Sequence, residues 1–156
     1  EIAQCLVGSE MCIRDSFCAI PELTGKVNDR AILRAIHFFN ENKRVDKAVQ
    51  CLENNDFEGF KQIIIESGRS SYMLNQNVYS PKNPTEQKLS LALAISEEIL
   101  KGKGAWRVHG GGFAGTIQAF VPNDILETYK TKIEAVFGEG SCYVLIIRPV
   151  GGTLVI

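Results

Sequence analysis

The chain has 156 residues, and 45% of them are hydrophobic, which is enough for one globular domain with its own buried core. The formal net charge of −1 excludes a broad electrostatic attraction to nucleic acid or to anionic membranes, and no apolar run approaches the roughly 20 residues of a membrane-spanning helix. Five cysteines without a Cys-x-x-Cys pair indicate neither a disulfide framework nor a metal site. We therefore expect a cytoplasmic protein that binds no metal through its own side chains.

The first segment, EIAQCLVGSEMCIRDS, has no clear helical or strand period and resembles a translated sequencing adapter. We expect residues 1–16 to be a non-native or disordered tail and the domain to cover residues 17–156. A signal peptide is the alternative, and Glu10, Arg14 and Asp15 disfavour it because they interrupt the apolar region that a signal peptide requires.

Two helices are predicted next. Over residues 29–53, one stripe recurs at spacings of three and four residues and has a single polar member: Ala35, Phe38, Asn42, Val45, Val49 and Leu52. Asn54 and Asn55 end this helix, and Asp56 is the N-cap of a second one. His37 lies on the first helix, which is largely apolar, and there a histidine is more often a hydrogen-bonded core or boundary residue than a ligand.

Residues 67–83 are dense in Ser, Gly, Asn and Pro and are predicted to form a loop, with a strand over residues 72–79 as the alternative. Arg69 and Ser70 in this segment are candidate cleft-edge residues, because a guanidinium and a hydroxyl can bind phosphate or sugar. The alternative interpretation is that both residues pack or cap a helix end.

A third helix is predicted from the Asn-Pro-Thr-Glu start at residues 83–86 to the Lys-Gly pair at residues 101–102. The glycine-rich stretch VHGGGFAG follows, between two segments of strand-like composition at residues 106–108 and 116–121. It neither ends in Gly-Lys-Ser/Thr nor opens a helix, so it is not a Walker-type loop or a dinucleotide fingerprint. The glycines alone leave open whether a ligand approaches this turn or whether it is a plain hairpin bulge.

A last helix is predicted from residues 122–124 to Gly138, and residues 141–148 form an apolar strand that we expect between or beside the hairpin strands. This order of elements predicts an α+β fold, in which an antiparallel sheet carries helices packed mainly on one face.

Several segments resemble one enzyme family. WRVHGGGFAGTIQAFVP and FGEGSCYVLIIRPVGG are similar to the C-terminal glycine-rich motif and closing strand of galactokinases, which belong to the kinases named for galactose, homoserine, mevalonate and phosphomevalonate. The similarity continues back through ENKRVDKAVQCLENNDFEGF and IIIESGRSSYMLNQNVYSP, and so covers roughly residues 28–152. Ala114 departs from the glycine that is commoner in the family, and Gly68 replaces a histidine.

The resemblance implies a ferredoxin-like C-terminal kinase domain within an enzyme that uses ATP and Mg²⁺ to phosphorylate galactose to galactose 1-phosphate. The family's sugar-binding, ATP-binding and catalytic motifs are absent from this sequence, so we expect no catalytic residue here and no activity of the chain alone. A related sugar kinase, a free-standing ferredoxin-like module that binds a small molecule, and a purely structural fragment are the alternatives.

The resemblance also implies that the glycine-rich loop lines the substrate and phosphate cleft through Gly110, Gly111, Gly112, Phe113, Ala114 and Gly115. Phe113 is expected to anchor this loop in the core. Arg107 and His109 are further candidate cleft-edge residues, since strand alternation places both on one side of the strand.

Overall fold

The computed structural model describes residues 13–113 and 115–147. Within these ranges the backbone forms five α-helices and one two-stranded antiparallel sheet. The elements are α1 (Ile13–Leu23), α2 (Asp29–Glu53), α3 (Phe57–Ser70), α4 (Lys88–Leu100), β1 (Ala105–Val108), β2 (Ile117–Phe120) and α5 (Leu126–Phe137). The predicted α+β class is confirmed at this level, and the ferredoxin-like arrangement stays a prediction. The same part of the chain contains no helix both long and apolar enough to cross a membrane.

The chain divides into two compact units after Val121. The first unit contains α1 to α4 and the sheet, and the second contains α5. Helix α1 begins at Ile13, within the segment predicted to be a tail, whereas residues 1–12 lie outside the described residues. The tail and the single domain over residues 17–156 both stay predictions.

Local caps define the ends of α2 and the start of α3. The Asn28 side chain accepts a hydrogen bond from the backbone N–H of Ala31 at 2.9 Å, and the Asp56 side chain accepts one from Gly59 N–H at 2.9 Å. Each bond satisfies a donor that the helix itself leaves unpaired in its first turn. The predicted bounds of α2 and the predicted cap of α3 are confirmed.

The apolar stripe predicted on α2 faces solvent. Its side chains Phe38, Val45, Val49 and Leu52 are 47 to 59% exposed. The face that contacts α3 instead carries His37 and Glu41, which bond to serines of α3. The spacing of the stripe follows the helix, but His37 and Glu41, which are not part of the stripe, make the side-chain hydrogen bonds to α3.

The loop predicted over residues 67–83 is helical over residues 67–75 and irregular, as predicted, over residues 76–83. Helix α3 continues to Ser70, one π-helical turn follows over Ser71–Asn75, and the chain turns at Gln76 with φ of 54°. The strand alternative over residues 72–79 is also wrong. The small residues serve close packing: a Cβ atom on Gly68 would lie 3.0 Å from Cβ of Arg107 and 3.1 Å from the carbonyl oxygen of Trp106.

Helix α4 begins at Lys88, later than the predicted start, because the residues before it form a turn in which Glu86 N–H bonds to the Asn83 carbonyl at 3.3 Å. The sheet pairs Ala105 with Phe120 and Val108 with Ile117. The buried core under the sheet contains Val78, Leu89 and Val108, with Tyr79, Leu93 and Ile117 packed against them.

The second unit departs most from expectation. Helix α5 buries Tyr129 and Ile133 and ends at Gly138, as predicted. The closing strand predicted over residues 141–148 is wrong for residues 141–147, which pair with no strand in the described part of the chain. Their side chains Tyr143, Leu145, Ile146 and Ile147 are 81 to 92% exposed. Residues 148–156 lie outside the described residues.

Candidate functional site

The glycine-rich loop closes directly beyond the hairpin. His109 N–H donates to the Thr116 carbonyl at 3.1 Å, one step past the last ladder pair, and Gly112 N–H donates to the His109 carbonyl at 3.4 Å. Gly110, Gly112 and Gly115 have φ of 58°, 80° and 88°, a region that side chains with a Cβ rarely adopt. The backbone of the loop therefore favours glycine at three of its positions.

Gly112 is the position where the loop contacts the rest of the unit. It is buried, and a Cβ atom placed on it would lie 2.0 Å from the Asn77 carbonyl oxygen. The same oxygen accepts a hydrogen bond from Phe113 N–H at 3.1 Å. Gly110 and Gly111 are exposed, and a Cβ atom added to either would meet no atom within 4 Å, so that side of the loop is open to approach.

Phe113 does not anchor the loop in the core, because its side chain is 56% exposed. The loop is held by the backbone N–H of Phe113 on Asn77 instead. Ala114, the position that departs from the family pattern, lies outside the described residues.

A charge cluster lies behind the loop, where β1 packs on α3 and Arg107 of β1 reaches Glu41 of α2. The Glu41 carboxylate accepts hydrogen bonds from the Ser67 hydroxyl, from Arg44 Nη1 at 2.8 Å and from Arg107 Nη1 at 3.3 Å. The side chains of Glu41 and Arg107 are 23% and 24% exposed. This ion pair joins α2 to β1 two residues before the loop begins at His109.

The cluster keeps Glu41 ionised. Burial alone would raise the pKa of its carboxyl, but the hydrogen bonds from Ser67 and Arg44, with the charges of Arg107 and Arg44, hold that pKa below its ordinary value. An ionised Glu41 is the counterion that lets two arginines lie side by side.

His37 lies beside this cluster in its neutral form. Its Nδ1 atom is 2.9 Å from the Ser70 hydroxyl. Burial lowers the pKa of His37, the charges of Arg44 and Arg107 lower it further, and Glu41 opposes them. The interpretation of His37 as a hydrogen-bonded boundary residue agrees with this geometry.

The four candidate cleft-edge residues separate into different surroundings. Arg107 belongs to the charge cluster, whereas Ser70 lies beside it, bonded to His37 and only 3% exposed. Arg69 is exposed, with its guanidinium 3.8 Å from the Glu97 carboxylate of α4. His109 is exposed at the entrance to the loop, so it is the one of the four that both adjoins the loop and reaches solvent.

Sequence reasoning did not single out Asn77 or Glu41. Asn77 is 2% exposed, and its side-chain oxygen Oδ1 has no hydrogen-bond partner among the described residues. An acceptor buried without a donor raises the free energy of the folded chain by roughly 1–3 kcal/mol. No local pattern marks either residue, because each acts on a segment distant in sequence.

The loop offers backbone groups and open space, whereas the charged side chains behind it bond to one another. In the described ranges no group of three or more His, Cys, Asp or Glu side chains could hold a metal ion. The loop can therefore bind or position a ligand through its backbone, and the polar side chains of the cluster behind it are engaged in holding α2, α3 and β1 together.

Comparison with known proteins finds galactokinases that are similar to this chain. No family model matches the chain. The galactokinase of Glaesserella parasuis is 28% identical over 108 residues, which is 69% of this chain and 26% of that protein. The galactokinase of Haemophilus influenzae is 29% identical over 112 residues, 72% of this chain and 27% of that protein. The chain thus spans about a quarter of the length of the curated relatives it matches, and it is galactokinase-like over that part.

Proposed function

We propose that the chain is the C-terminal part of a galactokinase, in which the glycine-rich loop lines the cleft where the γ-phosphoryl group of ATP is transferred to galactose. The observation that carries the proposal is the similarity to galactokinases over about 70% of the chain. The loop geometry supports the proposal. Gly112 lies directly against the Asn77 carbonyl, while its neighbours Gly110 and Gly111 leave space for a ligand.

The exposed backbone of Gly110, Gly111 and Gly115 would meet the ligand, since a residue without a Cβ allows the closest approach. His109 is the side chain that would reach the cleft edge. Arg107 would instead position the loop, through its ion pair with Glu41. Both roles concern orientation of the substrate, which can supply a large share of the rate in phosphoryl transfer.

The cofactors of the complete enzyme would be ATP and Mg²⁺. The open side of the loop fits the approach of a phosphate group or a sugar hydroxyl, whereas the described residues offer no carboxylate cluster for Mg²⁺. The metal ligands, the catalytic base and the sugar-binding residues would then lie elsewhere in the parent protein. Free thiols at Cys18, Cys51 and Cys142 are consistent with the reducing cytoplasm as its compartment.

The test is a coupled assay of ADP release and sugar phosphate formation on two samples, the chain alone and the complete parent polypeptide. We expect no turnover of the first and galactose phosphorylation by the second. Turnover by the chain alone would mean that catalytic residues lie within these 156 residues. A folded parent protein that phosphorylates another sugar would make it a related sugar kinase, and one that binds a sugar without using ATP would make the loop part of a binding module.

A further inference from the structure

Helix α2 carries an apolar seam that the described residues leave uncovered. The seam consists of Phe38, Asn42, Val45, Val49 and Leu52, and all five side chains are exposed, the four apolar ones by 47 to 59%. Placing four large apolar side chains in water along one helix face is unfavourable by roughly 25 cal/mol for each Å² of apolar surface. A surface of this kind marks an interaction site more often than a bare exterior.

The spacing of the seam identifies the shape of its partner. The five positions are separated by four, three, four and three residues, which is the heptad spacing of helices that pack side by side. A strand or an irregular loop would not match a stripe that follows the helix axis over fifteen residues, from Phe38 to Leu52. Asn42 is the single polar member, and one asparagine in such a seam restricts the register of the partner helix.

The charges beside the seam argue against a second copy of this chain. Asp46 and Glu53 follow the seam residues Val45 and Leu52 and are exposed on one edge. An antiparallel pair of α2 helices centred on Val45 would bring Asp46 close to Asp46 of the other copy, and these like charges oppose pairing.

We propose that this seam binds a helix of the parent polypeptide outside residues 1–156, one with apolar residues at heptad spacing and Lys or Arg on the edge facing Asp46 and Glu53. The inference rests on the proposed function, that the parent is a longer kinase. The relatives supply the physical reason, since about three quarters of their length has no counterpart in this chain. The seam would then be part of the interior of the complete enzyme.

The experiment compares Val49→Lys with its neighbour Gln50→Lys in the chain alone and in the complete parent polypeptide. Both positions are exposed on α2, and lysine is a better helix former than valine. We expect neither substitution to lower the thermal midpoint of the chain alone. In the complete protein, Val49→Lys should lower it by several degrees and Gln50→Lys should not. If Val49→Lys prevents folding of the complete protein, Val49→Ala should give a smaller fall in the same direction.

Two results would overturn the proposal. One is a complete protein that tolerates Val49→Lys and Val49→Ala as well as it tolerates Gln50→Lys. The other is a chain that sediments as a dimer on its own and becomes monomeric with Val49→Lys, which would identify a second copy as the partner. Because the readout is thermal stability, a parent protein without galactokinase activity would refute the proposed function and leave this inference standing.

Discussion

Replacing Gly112 by alanine should destabilise the loop more than replacing any of its neighbours. Gly112 combines a φ of 80° with direct contact, since an added Cβ atom would lie 2.0 Å from the Asn77 carbonyl oxygen. Gly111 is the matched control: its φ lies outside the left-handed region, and an added Cβ atom there meets nothing within 4 Å. The resemblance and the glycine spacing alone do not distinguish these two neighbours.

The magnitude follows from two contributions. Holding alanine in the left-handed region costs roughly 1–2 kcal/mol. Moving the loop away from Asn77 breaks the bond between Phe113 N–H and the Asn77 carbonyl, a net loss of about 0.5–1.5 kcal/mol. The free energy of unfolding should therefore fall by about 1.5–3.5 kcal/mol for Gly112→Ala. For Gly111→Ala it should stay the same or rise by about 0.4–1 kcal/mol, because alanine restricts the unfolded chain.

Urea denaturation of the three proteins, followed by the fluorescence of Trp106 on β1, measures these differences. In thermal unfolding, Gly112→Ala should lower the midpoint by about 3–14 °C for a chain of this size. If the two alanine variants unfold within about 0.5 kcal/mol of each other, the contact between Gly112 and Asn77 does not hold the loop. If only Gly111→Ala lowers the free energy of unfolding, then Gly111 and not Gly112 is the position that requires glycine, and the geometry argued for the loop is refuted.

Three further predictions concern the residues behind the loop. Glu41→Gln should lower the free energy of unfolding at pH 7 by about 1–3 kcal/mol by removing the counterion of Arg107. The Glu41 pKa is lowered in the folded chain, so the ionised carboxylate stabilises the fold above the ordinary pKa of 4.5. This stabilisation is lost as the pH falls through the pKa of the folded chain, and Glu41→Gln should therefore lose less stability in acid than the parent chain does. His37→Gln should remove the decline in the free energy of unfolding that begins as the pH falls below 6.5. The decline arises because the pKa of His37 is lower in the folded chain, so protonation favours the unfolded chain. Asn77→Leu should raise the free energy of unfolding by about 1 kcal/mol, because it removes the unpaired Oδ1 acceptor. Urea denaturation between about pH 2 and pH 8 measures all three, and variants whose pH profiles parallel the parent chain's would contradict the first two.

The sequence predicts best the features that depend on neighbouring residues. The bounds of α2 are recognisable because Asn28, Asn54 and Asp56 bond to backbone groups within four residues of themselves. The strands of the hairpin are recognisable from their composition, and their pairing follows from the short loop between them. These elements are determined by residues that lie close together in the sequence.

The features that sequence reasoning misjudged depend on distant partners. The Ser-Gly composition near Gly68 is typical of loops, but here it allows α3 to lie against Arg107 and Trp106. The exposed side chain of Phe113 could not be foreseen, because the loop is held through a backbone bond to Asn77. Glu41 is one charge among many on a helix, and only the fold brings it to Arg107.

The π-helical turn between α3 and Asn77 makes this segment sensitive to changes in length. Asn77 follows that turn almost directly, so the orientation of its carbonyl is set by the number of residues in Ser71–Asn75. Each residue of a helix rotates the chain around the axis, by about 100° in an α-helix and by less in a π-helix. Deleting one residue there would therefore turn the Asn77 carbonyl away from Gly112 and not simply shorten the connection. Natural variation in length should accumulate instead in the turn before α4, where no described contact to the glycine-rich loop depends on the count.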